Sequence, residues 1–161
     1  MINGCRPALV AVNGRRFIAT SDYGNRGNEI RLDDPMALAK ESKTSTAGVL
    51  VRKFLCGPFN QNVHWDAEAG KIVCVQNVTS GRGWRLQTLS PSLAKLMNQP
   101  ASSEKPDQVV DLSASPSLVF STPTELEGYC QLPNGKSLFV IARRQNNVVI
   151  ADIDEPQQED R

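Results

Sequence analysis

Short apolar runs separated by polar turns make up most of the chain, and this pattern predicts antiparallel β-strands. The pair Asn13-Gly14 interrupts an apolar stretch at 8–20, and Asn134-Gly135 interrupts a second stretch at 129–142. Asn-Gly supplies the positive φ angles that a tight type I′ turn requires. We therefore predict a β-hairpin at each Asn-Gly pair.

Three gapless segments of 23 residues repeat one order of features, and they lie at 13–35, 69–91 and 134–156. Each begins with a glycine turn and a basic residue, continues through an apolar strand, a polar turn and a second strand, and ends at a proline. This recurrence predicts an internal repeat of hairpin units. The alternative is coincidence, because glycine in turns and proline at strand ends are common in any β-rich chain.

Helical patterns follow Pro35 and Pro91, where proline suits the first turn of a helix. Two short helices are therefore predicted. The carboxylates of Asp33-Asp34 directly precede Pro35 and are predicted to cap the first helix. Further apolar runs, all outside the three 23-residue segments, predict strands at 48–55, 109–112 and 117–121.

Two of the apolar runs, 138–142 and 148–151, are continuous and do not alternate with polar residues. Such strands are typically covered on both faces. Two short helices cannot cover a large sheet, so a second sheet, a closed barrel or another subunit must do so. A homo-oligomer, most simply a two-fold dimer, is the expectation that follows.

Together these patterns predict a mainly β fold with two short helices (α+β), whose antiparallel hairpins form a sandwich or barrel-like core. We expect a single β-rich domain at 1–154. Within it, a Pro-rich linker at 99–107 joins the halves 1–98 and 108–154, which are related if the repeat is genuine. The acidic segment 155–161 is expected to be a flexible tail.

Charge and cysteine content narrow the function classes. The chain has 161 residues with 18 Lys and Arg against 17 Asp and Glu, a net charge of +1. Residues 152–161 hold five acids and one base, so the remainder carries 17 bases and 12 acids, a mildly basic +5. The four cysteines form no metal-binding motif, so we expect no metal and no cofactor. No membrane-spanning or secretory pattern is evident, which favours the cytoplasm.

A thiol enzyme is one function that the sequence allows. Cys56, His64 and Asp66 lie within eleven residues, and His64 is the single histidine of the chain. A thiol nucleophile with His64 as base and Asp66 or Asn62 as its orienting group is chemically possible. Catalytic partners usually come from different elements, however, so we expect no catalysis at these residues.

Basic turns supply a second set of candidate residues. Arginine lies in the polar turn of each 23-residue segment, and in the second segment tryptophan accompanies it. Arginine side chains bind phosphate groups, and tryptophan rings stack on unpaired bases. The candidate ligand-binding residues are Arg26, Arg82, Trp84, Arg85, Arg143 and Arg144.

These observations favour a non-enzymatic interaction or regulatory protein that docks on a protein partner. The first alternative is binding of nucleic acid, nucleotides or other anionic ligands through the basic turns. The second alternative is the thiol enzyme.

Overall fold

The structure is a computed structural model, and it describes residues 7–25, 28–41, 43–78, 83–91, 103–104, 106–112, 124–145 and 147–153. These residues form twelve strands and one helix. In chain order the elements are β1 (Ala8–Val12), β2 (Arg15–Ser21), β3 (Glu29–Asp33), α1 (Pro35–Glu41), β4 (Leu50–Leu55), β5 (Asn60–Asp66), β6 (Lys71–Val78), β7 (Gly83–Leu89), β8 (Ser103–Glu104), β9 (Gln108–Asp111), β10 (Leu126–Gln131), β11 (Ser137–Ile141) and β12 (Val148–Ala151).

The strands form three sheets. The first sheet has the order β1-β2-β3-β4-β8, the second β5-β6-β7-β9 and the third β10-β11-β12. Neighbouring strands are antiparallel, except that β8 pairs with β4 in parallel. The predicted mainly β fold of antiparallel hairpins with a sandwich-like core is thereby confirmed.

The second sheet is the middle layer of this sandwich. One core lies between it and the first sheet, where Phe17 and Ile30 pack with Ile72 and Cys74. A second core lies on its other side, where Val73 packs with residues of the third sheet such as Phe139. The side chains of successive β6 residues therefore enter alternate cores, which explains the uninterrupted apolar run at 72–75.

The apolar runs of the third sheet behave differently from the prediction. In β11 burial alternates, so that Phe139 and Ile141 are buried while Leu138 and Val140 are only half-buried. In β12, Val148 is 50% exposed and Ile150 is 56% exposed. The second sheet packs against one face of these strands, and within the described part of the chain no element covers the other face, where Val148 and Ile150 are half-exposed.

Both predicted hairpins are present, but their turns differ. Asn13 and Gly14 have φ angles of 47° and 78°, as a two-residue type I′ turn requires. At the second hairpin only Gly135 has a positive φ, and its N–H donates to Leu132 O at 3.0 Å. Pro133 fixes a negative φ at the first central position, which favours a type I turn there instead.

The predicted helix cap is formed by Asp34. Its Oδ1 accepts the backbone N–H groups of Met36 at 2.9 Å and Ala37 at 3.0 Å. Asp33 has another role, because its buried carboxylate accepts a hydrogen bond from Arg31 Nη2 at 3.2 Å. Burial raises the pKa of Asp33, and the guanidinium of Arg31 partly opposes this increase.

Several other predictions concern residues that the structure covers only in part. The helix after Pro91 and the strand at 117–121 lie outside the described residues, as does the tail at 155–161. Within the predicted linker, Ser103–Glu104 forms β8 and belongs to the first sheet. Each 23-residue segment contains a hairpin, one per sheet, but the internal repeat itself stays a prediction. The described part of the chain has no helix suited to crossing a membrane.

Candidate functional site

Cys56 follows β4 and is buried in the first core, with only 1% of its surface exposed. Its Sγ lies 3.5 Å from the carbonyl oxygen of Gly57. Burial among apolar side chains raises the pKa of the thiol to about 12. A thiol in this environment stays protonated near neutral pH and is a poor nucleophile.

His64 lies on β5, whose side chains alternate between the two faces of the second sheet. Val63 and Trp65 pack in the first core, whereas the His64 ring makes an edge contact with Tyr129 of the third sheet, 5.9 Å between centroids. Burial lowers the pKa of His64, and the nearby Asp66 opposes that shift. Cys56 and His64 therefore face opposite sides of the middle sheet and do not form a catalytic pair.

Asp66, the third candidate of this group, ends β5 and organises the turn that follows. Its Oδ1 accepts the backbone N–H groups of Glu68 at 3.1 Å and Ala69 at 2.9 Å. This carboxylate thus serves the β5–β6 turn. Among the described residues, no cluster of His, Cys, Asp and Glu side chains has the arrangement of a metal site.

Two of the candidate ligand-binding arginines, Arg26 and Arg82, lie outside the described residues. Trp84 is described and is buried in the second core, 6% exposed, with its Nε1–H donating to Thr124 O at 3.0 Å. The stacking role predicted for Trp84 is therefore wrong, because packing covers the ring. Arg85 points to the other face of β7, with its Nε 3.8 Å from Asp111 Oδ2.

The other two arginines lie in the bend that joins β11 to β12. Arg143 is half-buried, and its backbone N–H donates to Ile141 O at 2.9 Å, while Arg144 is exposed. This bend belongs to the third sheet, whereas Trp84 lies inside the second core. The described members of the set do not gather around one aromatic platform.

The outer face of the third sheet is the more unusual surface. Strand register places six small or apolar residues there in two rows across the three strands. We call Cys130, Leu138 and Ile150 the large row, and Gly128, Val140 and Val148 the small row.

An antiparallel sheet with one face toward water normally carries polar residues on that face. Here every position of both rows is apolar or glycine, and at one margin of the face Lys136 Nζ lies 3.1 Å from Asp152 Oδ2. Within the described residues, strand β12 pairs only with β11 and has no neighbour at its other edge. A sheet face that is apolar and partly exposed is a candidate interaction surface.

A cleft of about 580 Å³ opens between the second and third sheets, beside the β5–β6 and β10–β11 turns. Val73 and Leu86 line one wall, and Tyr129 lines the other. The Tyr129 hydroxyl donates to Gln131 Oε1 at 2.6 Å, so its polar tip is already bound within the chain. The cleft has a mixed polar and apolar lining that indicates no single ligand class.

No protein family matches the chain, and no curated protein or solved structure matches it either. Sequence reasoning had identified the runs 138–142 and 148–151 but not Gly128 and Cys130 on the neighbouring strand. Gly128 and Cys130 are two residues apart on β10 and so share one face of the strand. Which face this is becomes clear only from the pairing of β10 with β11.

Proposed function

We propose that this protein is a non-enzymatic docking module that binds a protein partner through the outer face of the third sheet. The observation that carries the proposal is the exposure of Val148 and Ile150, 50% and 56%, on a face with no polar position in either row. A partner with a flat apolar surface of its own, such as a sheet face, matches this chemistry. Covering these two side chains contributes roughly 1 kcal/mol each at about 25 cal/mol per Å².

The separation of Cys56 and His64 supports a binding role over the thiol-enzyme alternative. The buried Trp84 weakens the case for nucleic-acid binding, since that case relied on an exposed aromatic ring beside arginine. Docking requires only what the third sheet presents, which is an apolar and partly exposed face.

Crosslinking from the outer face of the third sheet tests this docking proposal. A photoreactive benzoylphenylalanine is placed at position 148, and in a matched protein at position 109, because Val109 is 51% exposed on the second sheet. We expect position 148 to capture a defined protein that position 109 does not capture. That protein, once purified, should bind the Val109→Asp variant normally and the Ile150→Asp variant at least tenfold more weakly.

The proposal is overturned if the two positions capture the same proteins, or if the purified partner binds both variants equally. Circular dichroism of both variants confirms that the fold is intact before binding is compared. Both substitutions replace half-exposed side chains, so neither introduces a charge into a core.

A further inference from the structure

We propose that the partner is a second copy of this chain, bound outer face to outer face. The two-fold axis lies between the two sheets, parallel to them and across the strands, midway between the large row and the small row. This inference rests on the proposed function, since it names the occupant of the same face.

Residue sizes in the two rows make the face complementary to itself. A two-fold axis in this orientation sets each strand over its own copy with the direction reversed, so that the large row of one protomer lies over the small row of the other. Cys130 then faces Gly128, Leu138 faces Val140, and Ile150 faces Val148. Large residues opposite small ones fill the space between sheets that pack about 10 Å apart. A two-fold axis along the strands would instead set the large row of one protomer over the large row of the other.

Charges beyond the rows agree with the same axis. Arg144 lies in the bend past the small row and is exposed, while Asp152 lies past the large row with its side chain 71% exposed. Reversal of strand direction brings Arg144 near the Lys136–Asp152 ion pair of the partner subunit, where Arg144 shares the Asp152 carboxylate with Lys136, and symmetry creates this contact twice. The chain carries a net charge of only +1, so net charge opposes the association of two copies only weakly at neutral pH.

The contact is small. Three strands spaced about 4.8 Å apart and about four residues long present roughly 200 Å² of flat face. Stable interfaces cover about 800 Å² per partner. We therefore expect a dimer that dissociates on dilution rather than a permanent one.

Sedimentation equilibrium over a concentration series from micromolar to about 0.5 mM tests the dimer. The mass should rise from 17.6 kDa toward twice that value as concentration increases. Ile150→Asp should weaken association at least tenfold, whereas Val109→Asp should leave it unchanged. A mass that stays at 17.6 kDa throughout overturns the inference, as does equal weakening by the two substitutions.

Charge exchange tests the orientation of the axis. Arg144→Asp and Asp152→Arg should each weaken the dimer several-fold, and their combination should restore most of the lost affinity. Failure of the double variant to recover overturns the orientation.

A chain that stays monomeric but still captures a different protein from position 148 removes the second-copy inference and leaves the docking function standing. If position 148 also captures nothing that position 109 does not, the docking function fails as well.

Discussion

Asn77 Oδ1 accepts a hydrogen bond from the backbone N–H of Leu126 at 3.0 Å, and both residues are buried. The bond ties the second sheet to the first residue of β10 and so fixes where the third sheet begins. Asn77→Leu would leave the Leu126 amide buried without a partner, and we expect a loss of ~2 kcal/mol in the free energy of unfolding.

Urea unfolding of Asn77→Leu measures this loss, and Asn62→Leu is the matched control. Asn62 lies on the neighbouring strand β5, is only half-buried, and should tolerate leucine within about 0.5 kcal/mol. Equal losses for the two variants would mean that the Leu126 amide finds another acceptor.

Gly57 and Gly14 have similar φ angles, but we expect a substitution at Gly57 to cost more stability. Gly57 has a φ of 70°, and a Cβ there would lie 2.9 Å from Gln76 Nε2, whereas Gly14 has a φ of 78° with open space around it. Gly14→Ala should cost ~1 kcal/mol from backbone strain alone. Gly57→Ala should cost more, since it also displaces the amide that donates to Pro58 O at 2.8 Å. Thermal unfolding of the two variants side by side checks the order, and a smaller loss for Gly57→Ala would contradict it.

The described cysteines should differ sharply in reactivity. In a Cys5→Ser background, which removes a thiol outside the described residues, Cys130 should react with a maleimide within minutes. Cys56 and Cys74 are buried in the first core, and burial raises the pKa of each thiol. We expect them to react only as fast as the chain unfolds, and mass spectrometry of timed samples measures this. Rapid labelling of Cys56 that slows in a His64→Ala variant would revive the thiol-enzyme alternative.

His64 makes the protein less stable in mild acid. Burial holds its pKa below the unfolded value of about 6.5, so in the window just below that pH the unfolded chain binds a proton that the folded chain does not. Stability should fall as the pH is lowered through this window and level off below the folded pKa. His64→Gln should flatten that part of the curve. Guanidinium unfolding at a series of pH values shows whether the two proteins differ there, and parallel curves would count against the assignment.

Trp84 fluorescence tests the nucleic-acid alternative directly. The chain has two tryptophans, so a Trp65→Phe variant reports on Trp84 alone. Because the ring is buried, its emission should be blue-shifted and should stay unchanged when single-stranded RNA or DNA is added at low salt. Quenching on addition of either oligonucleotide would show that a base reaches the ring.

Features set by local chemistry were predictable from the sequence. The Asn13-Gly14 turn and the Asp34 cap depend on residues within a few positions of one another, and both are present as predicted. The Asn134-Gly135 pair predicted the second hairpin but not its turn type, which Pro133 decides. Short-range signals therefore located the elements reliably and their detailed geometry less so.

Long-range packing was not predictable in the same way. The run at 138–142 and the run at 72–75 are both continuous and apolar, but only the second belongs to the middle layer and is covered on both faces. Which sheet covers which face depends on residues far away in the chain. The same limitation applied to Cys56 and His64, since eight positions of sequence separate them but a whole sheet lies between their side chains.

The middle layer also bears on the order in which the chain folds. Its strands β5, β6 and β7 follow one another directly in the sequence, so their pairing closes only short loops, and local contacts of this kind form fastest. Neither core can exist before this layer is in place, because it provides one wall of each. We expect the meander at 60–89 to form the nucleus, with the outer sheets condensing on its two faces afterwards. A destabilising change in β6 should then slow folding, whereas one in β12 should mainly speed unfolding.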